Sequence, residues 1–368
     1  MLDKPLINQY NPDTVSSPGE TLAELLGLHN MSQAQLAERT GRPKKTINEI
    51  IKGKSAITPE TALQFEKVFG VAASFWNNRD RRYREFLAKR AELKTLRSQT
   101  SWLDEIPFRE LVKLGWVQDS SDKLRRLELL LAFFGVAGPK QWRDLYAGVS
   151  FRKSPAFRSN PGAIAAWLRK GELEATEIEC DEFDASKFRA TLDGIRKEEI
   201  IRLRQEGPAN VVKRMVERCS KSGTALVFVR SISHTRTFGA SRWLSPNKAL
   251  IQISLLYKND YSLWFTFFHE AGHILRHGKK STFINFENMV EDALEKEANS
   301  FAEEILFPNR SLQAFAESHP DKRFSTNDIL RFAENQSLTP GVVVGKLQHA
   351  KTLPRTHFNK LRLWFKWT

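Results

Sequence analysis

Over residues 17–90 the apolar positions recur at helical spacing, in short runs bounded by capping residues. Ser17-Pro18-Gly19-Glu20 opens the first run, with Ser17 as N-cap, Pro18 in the first turn and Glu20 reaching back. That run continues through TLAELLGL and ends near His29-Asn30. Ser32 and Gln35 form a second capping box, and this helix turns Leu36 and Ala37 inward before Gly41 stops it. A third helix, PKKTINEIIKG, opens at Pro43 with Ile47, Ile50 and Ile51 on its buried side. Thr58-Pro59 caps a fourth, which closes at Gly70.

Residues 91–224 continue as helices joined by short loops, with Trp102, Trp116, Trp142 and Trp167 as core candidates. The period then changes. TALVFVR, TRTFGASRWLS and KALIQISLLYK are rich in β-branched and aromatic residues, and Asn247 stands in the turn before the third. They predict three strands of a small antiparallel sheet. Helical spacing returns in YSLWFTFFHEAGHILRHG and in EDALEKEANSFAEEILFP, residues 291–308. The fold class expected is therefore mainly α with a small antiparallel sheet.

A chain of 368 residues suggests two or three domains. The pattern divides it into a helix-turn-helix domain (17–90), a helical connector (91–224), a domain built around the sheet and two helices (225–310) and a basic helical C-terminal segment (311–368). No apolar run is long enough to span a bilayer, and the first residues carry no signal pattern, so no membrane is expected and the location predicted is cytoplasmic. Cys180 and Cys219 are too few for a disulfide framework. The net charge of +14 favours a polyanionic partner. Residues 340–368 hold no acidic side chain; docking on the preceding domain is the expected role of this tail, and an arm on nucleic acid is the alternative.

Two short helices joined by a Gly-containing turn make a helix-turn-helix, whose second helix meets base edges in the major groove. Here that helix brings Lys44, Lys45, Asn48 and Glu49, with Arg42 before it and Gln33 at the start of the preceding helix. The expected partner is a double-stranded DNA operator. The stretch MSQAQLAERTGRPKKTINEIIKGKSAITPETALQFEKVFGVAASFW resembles the Xre/Cro repressor superfamily, closest to its HigA-type antitoxin branch. That resemblance implies a five-helix DNA-binding domain over residues 18–90, often a homodimer on inverted repeats.

In FFHEAGHILRHG, residues 267–278, His269 and His273 lie one helical turn apart and can converge on one ion. Glu270 is rotated off that pair, as a general base requires. A third ligand is expected from the downstream helix. Taking Leu294, Ala298, Phe301, Ala302, Ile305 and Leu306 as its apolar stripe, Glu291, Glu295, Glu303 and Glu304 border or leave it. Glu297, three after Leu294 and four before Phe301, falls on the same ridge and is the ligand expected, with Glu295 the alternative. Asn299 is placed to orient the ligands. His277, Arg242 and Tyr257 are candidates for stabilising an oxyanion, and His277 before Gly278 could instead cap the helix.

FHEAGHILRHG with EKEANSFAEEILFP resembles the ImmA/IrrE family of zinc metallopeptidases over about residues 225–310. The resemblance implies a gluzincin-like domain with Zn2+ on His269, His273 and Glu297, Glu270 as base, and a repressor as substrate. The expectation is a DNA-binding transcription regulator carrying a zinc-dependent endopeptidase that cleaves a repressor or partner protein. The alternative is a non-enzymatic antitoxin and autorepressor of a toxin–antitoxin pair, its zinc domain structural or toxin-binding.

Overall fold

A computed structural model describes residues 15–147, 161–279, 281–286, 292–319 and 321–367. The leading residues read for a signal pattern, and Glu291, lie outside these. The chain divides into two compact units, Met1–Gln99 and Thr100–Thr368.

The first unit is five helices: α1 (Pro18–Leu28), α2 (Gln33–Thr40), α3 (Lys44–Ile51), α4 (Pro59–Phe69) and α5 (Ala73–Ser98). Local chemistry sets their ends. Ser32 and Gln35 make the reciprocal capping box, and Thr58 caps α4. Gly41 and Gly70 end α2 and α4 in the left-handed conformation, at φ 66° and 68°. Ser17 caps α1, but Glu20 meets the Ser17 hydroxyl rather than its backbone N–H. Leu22, Leu36, Ile47, Ile50, Phe65 and Trp76 form the core. α1 approaches α3 so closely that a Cβ on Gly19 would stand 2.3 Å from the Ile51 carbonyl oxygen.

The second unit begins with α6 (Phe108–Lys113), α7 (Lys123–Phe134), α8 (Pro139–Ala147), α9 (Pro161–Thr176), α10 (Ala185–Gly194), α11 (Ile200–Glu206) and α12 (Pro208–Ser220). A π-helical turn, Ile195–Glu199, joins α10 to α11. Strands β1 (Thr224–Phe228), β2 (Thr237–Ser245), β3 (Lys248–Ile253) and β4 (Phe283–Phe286) follow, with α13 (Asp260–Arg276) between β3 and β4. After them come α14 (Ala293–Leu306), α15 (Ser311–Glu317), α16 (Thr326–Asn335) and α17 (Pro340–His349).

The mainly α class with one small sheet is as expected, but the sheet is mixed rather than antiparallel. Its order is β1-β3-β2-β4. β2 and β3 form an antiparallel hairpin, which leaves β1 to pair with β3 on the far side, in parallel. The short strand β4, unread in the sequence, adds antiparallel to β2. Alternation then sorts β2. Ala240 and Arg242 turn toward α9, where Arg242 donates to the Leu168 carbonyl and Gln252 of β3 to that of Trp167. Gly239 and Ser241 turn toward α13.

α13 is buried on nearly every side, as its apolar composition requires. Its core neighbours include Ile251 and Ile253 of β3, Ala302 and Leu306 of α14, Val342 to Val344 of α17, and Phe188 and Met215 of α10 and α12. Arg196, in the π-helical turn, donates to the carbonyls of Ile305, Leu306, Gln336 and Ser337, closing the C-terminal ends of α14 and α16. The C-terminal tail docks on this unit as irregular chain: Asp260 N–H donates to the Leu363 carbonyl and Phe365 N–H to that of Lys258. No helix of the described residues is long and apolar enough to cross a membrane.

Candidate metal centre

Asn259 caps α13 by accepting from the Ser262 N–H, and the helix runs unbroken through the histidines. His269 and His273, one turn apart, face their Nε2 atoms at 3.1 Å. α14 crosses this face at Gly272, where a Cβ would meet Phe301 Cδ1 at 3.1 Å and Ala298 Cα at 3.3 Å. The close crossing brings the Glu295 carboxylate to 3.2 Å from His269 Nε2 and 3.5 Å from His273 Nε2. The ligand-capable atoms of His269, His273 and Glu295 all lie within 4.8 Å of one another.

The third member of this group is thus Glu295, and the expectation of Glu297 is corrected. Glu297 is 54% exposed and pairs with His277. The error lay in the stripe. Leu294 is exposed, while Glu295, Ala298, Ala302 and Leu306 are buried along one ridge. Spacings of three and four residues make that ridge, and Glu297 stands off it. The succession of small Ala298 and Ala302, which admit α13, was the signal available in the sequence.

Two imidazoles and one carboxylate, buried together with no cationic side chain among them, form a donor set suited to zinc. Burial of this kind is unfavourable unless hydrogen bonds, an opposite charge or a bound ion compensate it. Both Nδ1 atoms are engaged elsewhere, His269 with Asn299 Oδ1 at 2.9 Å and His273 with His277 Nδ1 at 2.8 Å. That leaves both Nε2 lone pairs for an ion. Phe283 of β4 stacks on His273, ring centroids 4.2 Å apart.

Burial lowers the His269 pKa, but Glu295, Glu270 and Asn299 together outweigh it and hold the imidazole above its usual value. In His273 burial prevails over Glu295, and the pKa is depressed. Burial would raise the Glu295 carboxyl, yet its hydrogen bonds to the two imidazoles bring it down to about 2.

Glu270 is fully buried; the Ser241 hydroxyl stands beside its carboxylate, but no donor among the described residues meets hydrogen-bond geometry with it. Burial pushes its pKa up to about 8, against the pull of His269 and the Ser241 hydroxyl. A carboxyl tuned toward neutrality can accept and release a proton at working pH. Of the oxyanion candidates, Arg242 is taken up by α9 and Tyr257 is half exposed beside Phe238. His277 instead backs His273. Ser241, Gly239 and Phe283 adjoin the site unforeseen, since only strand alternation and pairing place them there.

In the first unit, Lys44 and Lys45 are exposed at the start of α3. Asn48 Nδ2 donates to Gln33 Oε1 at 3.3 Å, so these two residues form one polar surface. Arg42 is turned onto α4, donating to Gln64 at 2.6 Å. Glu49 accepts from Ser55 at 3.0 Å and faces Lys45 at 3.9 Å.

Residues 22–76 match the helix-turn-helix family, and residues 238–346 match the peptidase family described as the IrrE N-terminal-like domain. No curated protein gives a significant match. Among solved structures, an addiction-module antidote protein of the HigA family from Coxiella burnetii is 37% identical, over 23% of this chain and 91% of that one, with a TM-score of 0.21. A structure from Nostoc punctiforme, described as an antidote of a plasmid maintenance system, is 26% identical over 23% of this chain and 92% of its own, with a TM-score of 0.22. The chain therefore carries an Xre-like helix-turn-helix domain in its first unit and, in its second, a domain of the IrrE N-terminal-like peptidase family.

Proposed function

We propose that the protein is a DNA-binding regulator whose second unit is a zinc-dependent endopeptidase acting on a repressor or other partner protein. The observation that supports this reading most is Glu270, buried beside the His269–His273–Glu295 cluster with no donor among the described residues in hydrogen-bond geometry with it. His269, His273 and Glu295 would hold the ion, and zinc bound there would act as a Lewis acid on a peptide carbonyl and on water. Glu270 takes a proton from the attacking water as the new C–O bond forms. It returns that proton to the amine as the C–N bond breaks. Asn299 and His277 hold the two imidazoles in the tautomer that ligation needs. The first unit would hold the protein at an operator, as a homodimer on an inverted repeat, with Lys44, Lys45, Asn48 and Gln33 toward the DNA.

The test combines metal analysis with terminal labelling. Wild-type protein should carry about one zinc per chain. Glu295→Ala should lose it and Glu297→Ala should retain it; zinc retained without Glu295 would overturn the ligand set. In cells expressing wild type or Glu270→Gln, new protein N-termini should arise with wild type alone. The same termini in both would rule out hydrolysis by Glu270. A zinc-loaded wild type that creates none would leave a DNA-binding protein with a structural metal.

A further inference from the structure

A polar chain runs from the metal cluster to the protein surface. His273 Nδ1 lies 2.8 Å from His277 Nδ1, and His277 Nε2 lies 3.3 Å from Glu297 Oε2. The His277 side chain is 4% exposed, whereas that of Glu297 is 54% exposed. The Phe283 ring packs on both histidines, with centroids 4.2 Å from His273 and 5.1 Å from His277.

We infer that His277 and Glu297 form a directed outer relay that positions His273 for metal binding. This rests on the metal site proposed above. If Nε2 of His273 ligates an ion, its proton must sit on Nδ1. That N–H can donate only if His277 Nδ1 is a bare acceptor, so the His277 proton belongs on Nε2. The Nε2–H then points at Glu297, whose carboxylate oxygen accepts it. Each tautomer is set by the next, and the order runs one way. A surface carboxylate thereby fixes the orientation and raises the basicity of a buried ligand. α13 ends at this residue: the His277 N–H still donates to the His273 carbonyl, but its backbone turns extended at φ −113° and ψ 160°, while its side chain meets the imidazole one turn earlier. His269 has a simpler partner, the Asn299 amide oxygen, so the two ligands are tuned by different chemistry. His277 and Glu297 are positioning residues, without contact to substrate.

The test is zinc affinity of the full chain, measured by chelator competition, with the thermal midpoint of the metal-free protein beside it. His277→Ala should weaken zinc by about 10- to 100-fold, and Glu297→Ala by several-fold. Glu297→Gln, whose amide oxygen can still accept from Nε2–H, should recover most of that loss. The double variant should bind no more weakly than His277→Ala alone, because the carboxylate acts only through the imidazole. The metal-free midpoint of Glu297→Ala should stay at the wild-type value, since the group is exposed. Wild-type affinity in Glu297→Ala, or additive losses in the double variant, would overturn the relay while leaving the metal site in place. Absence of zinc from the wild type would overturn the site and the relay together. Should His277→Ala fail to fold, the comparison of Glu297→Ala with Glu297→Gln decides.

Discussion

Gly239 of β2 and Glu270 of α13 meet without room for a methyl group between them: a Cβ on Gly239 would stand 2.7 Å from Glu270 Oε1. Thr266 Cγ2 would be equally close, so the carboxylate is held between the strand and its own helix. Gly239→Ala must therefore push the Glu270 side chain or the strand aside. Peptide hydrolysis should fall by about 10- to 100-fold, the loss typical of a misplaced reacting group. Zinc content should stay at the wild-type level, because the atoms a Cβ there would meet belong to Glu270 and Thr266 and not to the His269–His273–Glu295 group. Unchanged turnover in Gly239→Ala would show that the strand does not position the base.

Asp260, at the start of α13, gives the stability a definite pH dependence. Its carboxylate accepts from the Thr339 hydroxyl at 2.7 Å and from the Tyr261 N–H at 3.1 Å. Burial nevertheless prevails and raises its pKa from 3.8 to about 6. Between those values the folded state holds a proton that the unfolded chain releases. The stabilisation is thus full below about pH 4 and is lost as pH rises through about 6, by as much as about 3 kcal/mol. Asp260→Asn should gain stability relative to wild type across that window. Urea unfolding in chelator, from pH 4 to 7, reads the difference; parallel curves for the two proteins would contradict it.

Arg196 joins three parts of the second unit through four backbone carbonyls. No carboxylate pairs with it in those bonds, and burial lowers its pKa to about 10. Arg196→Met keeps much of the apolar volume but leaves the ends of α14 and α16 unsatisfied. It should lower stability by about 2–4 kcal/mol, the range for buried acceptors stripped of a charged donor. Chemical denaturation measures it, and a loss below about 1 kcal/mol would mean that solvent satisfies those carbonyls.

For α3 the discriminating quantity is the salt dependence of DNA binding. If Lys44 and Lys45 neutralise phosphates, replacing both by Ala should reduce the slope of log K against log salt by about 2. An unchanged slope with altered base preference would place them on base edges instead.

Helix boundaries were legible in the sequence to within a residue or two because caps are local. Ser32 with Gln35, Thr58 before Pro59, and Gly41 and Gly70 act within one turn of their own positions. The sheet was less legible. β-Branched and aromatic richness marked β1, β2 and β3, but nothing local stated that β1 would lie parallel beside β3, or that four residues at Phe283–Phe286 would make an edge strand. Strand pairing is a relation between distant segments.

The His269–His273–Glu295 group divides in the same way. Sequence alone placed His269 and His273 on one helix face with Glu270 beside them, since a four-residue spacing on a helix fixes which side chains share a face. It also determined that a second helix would carry an acidic partner. Which carboxylate that would be, only the tertiary structure decided. Glu295 and Glu297 are two residues apart on one helix, and the choice rests on how α14 is rotated against Gly272 of α13. That rotation follows from packing Ala298 and Phe301 against Gly272, a contact between helices that no local pattern contains.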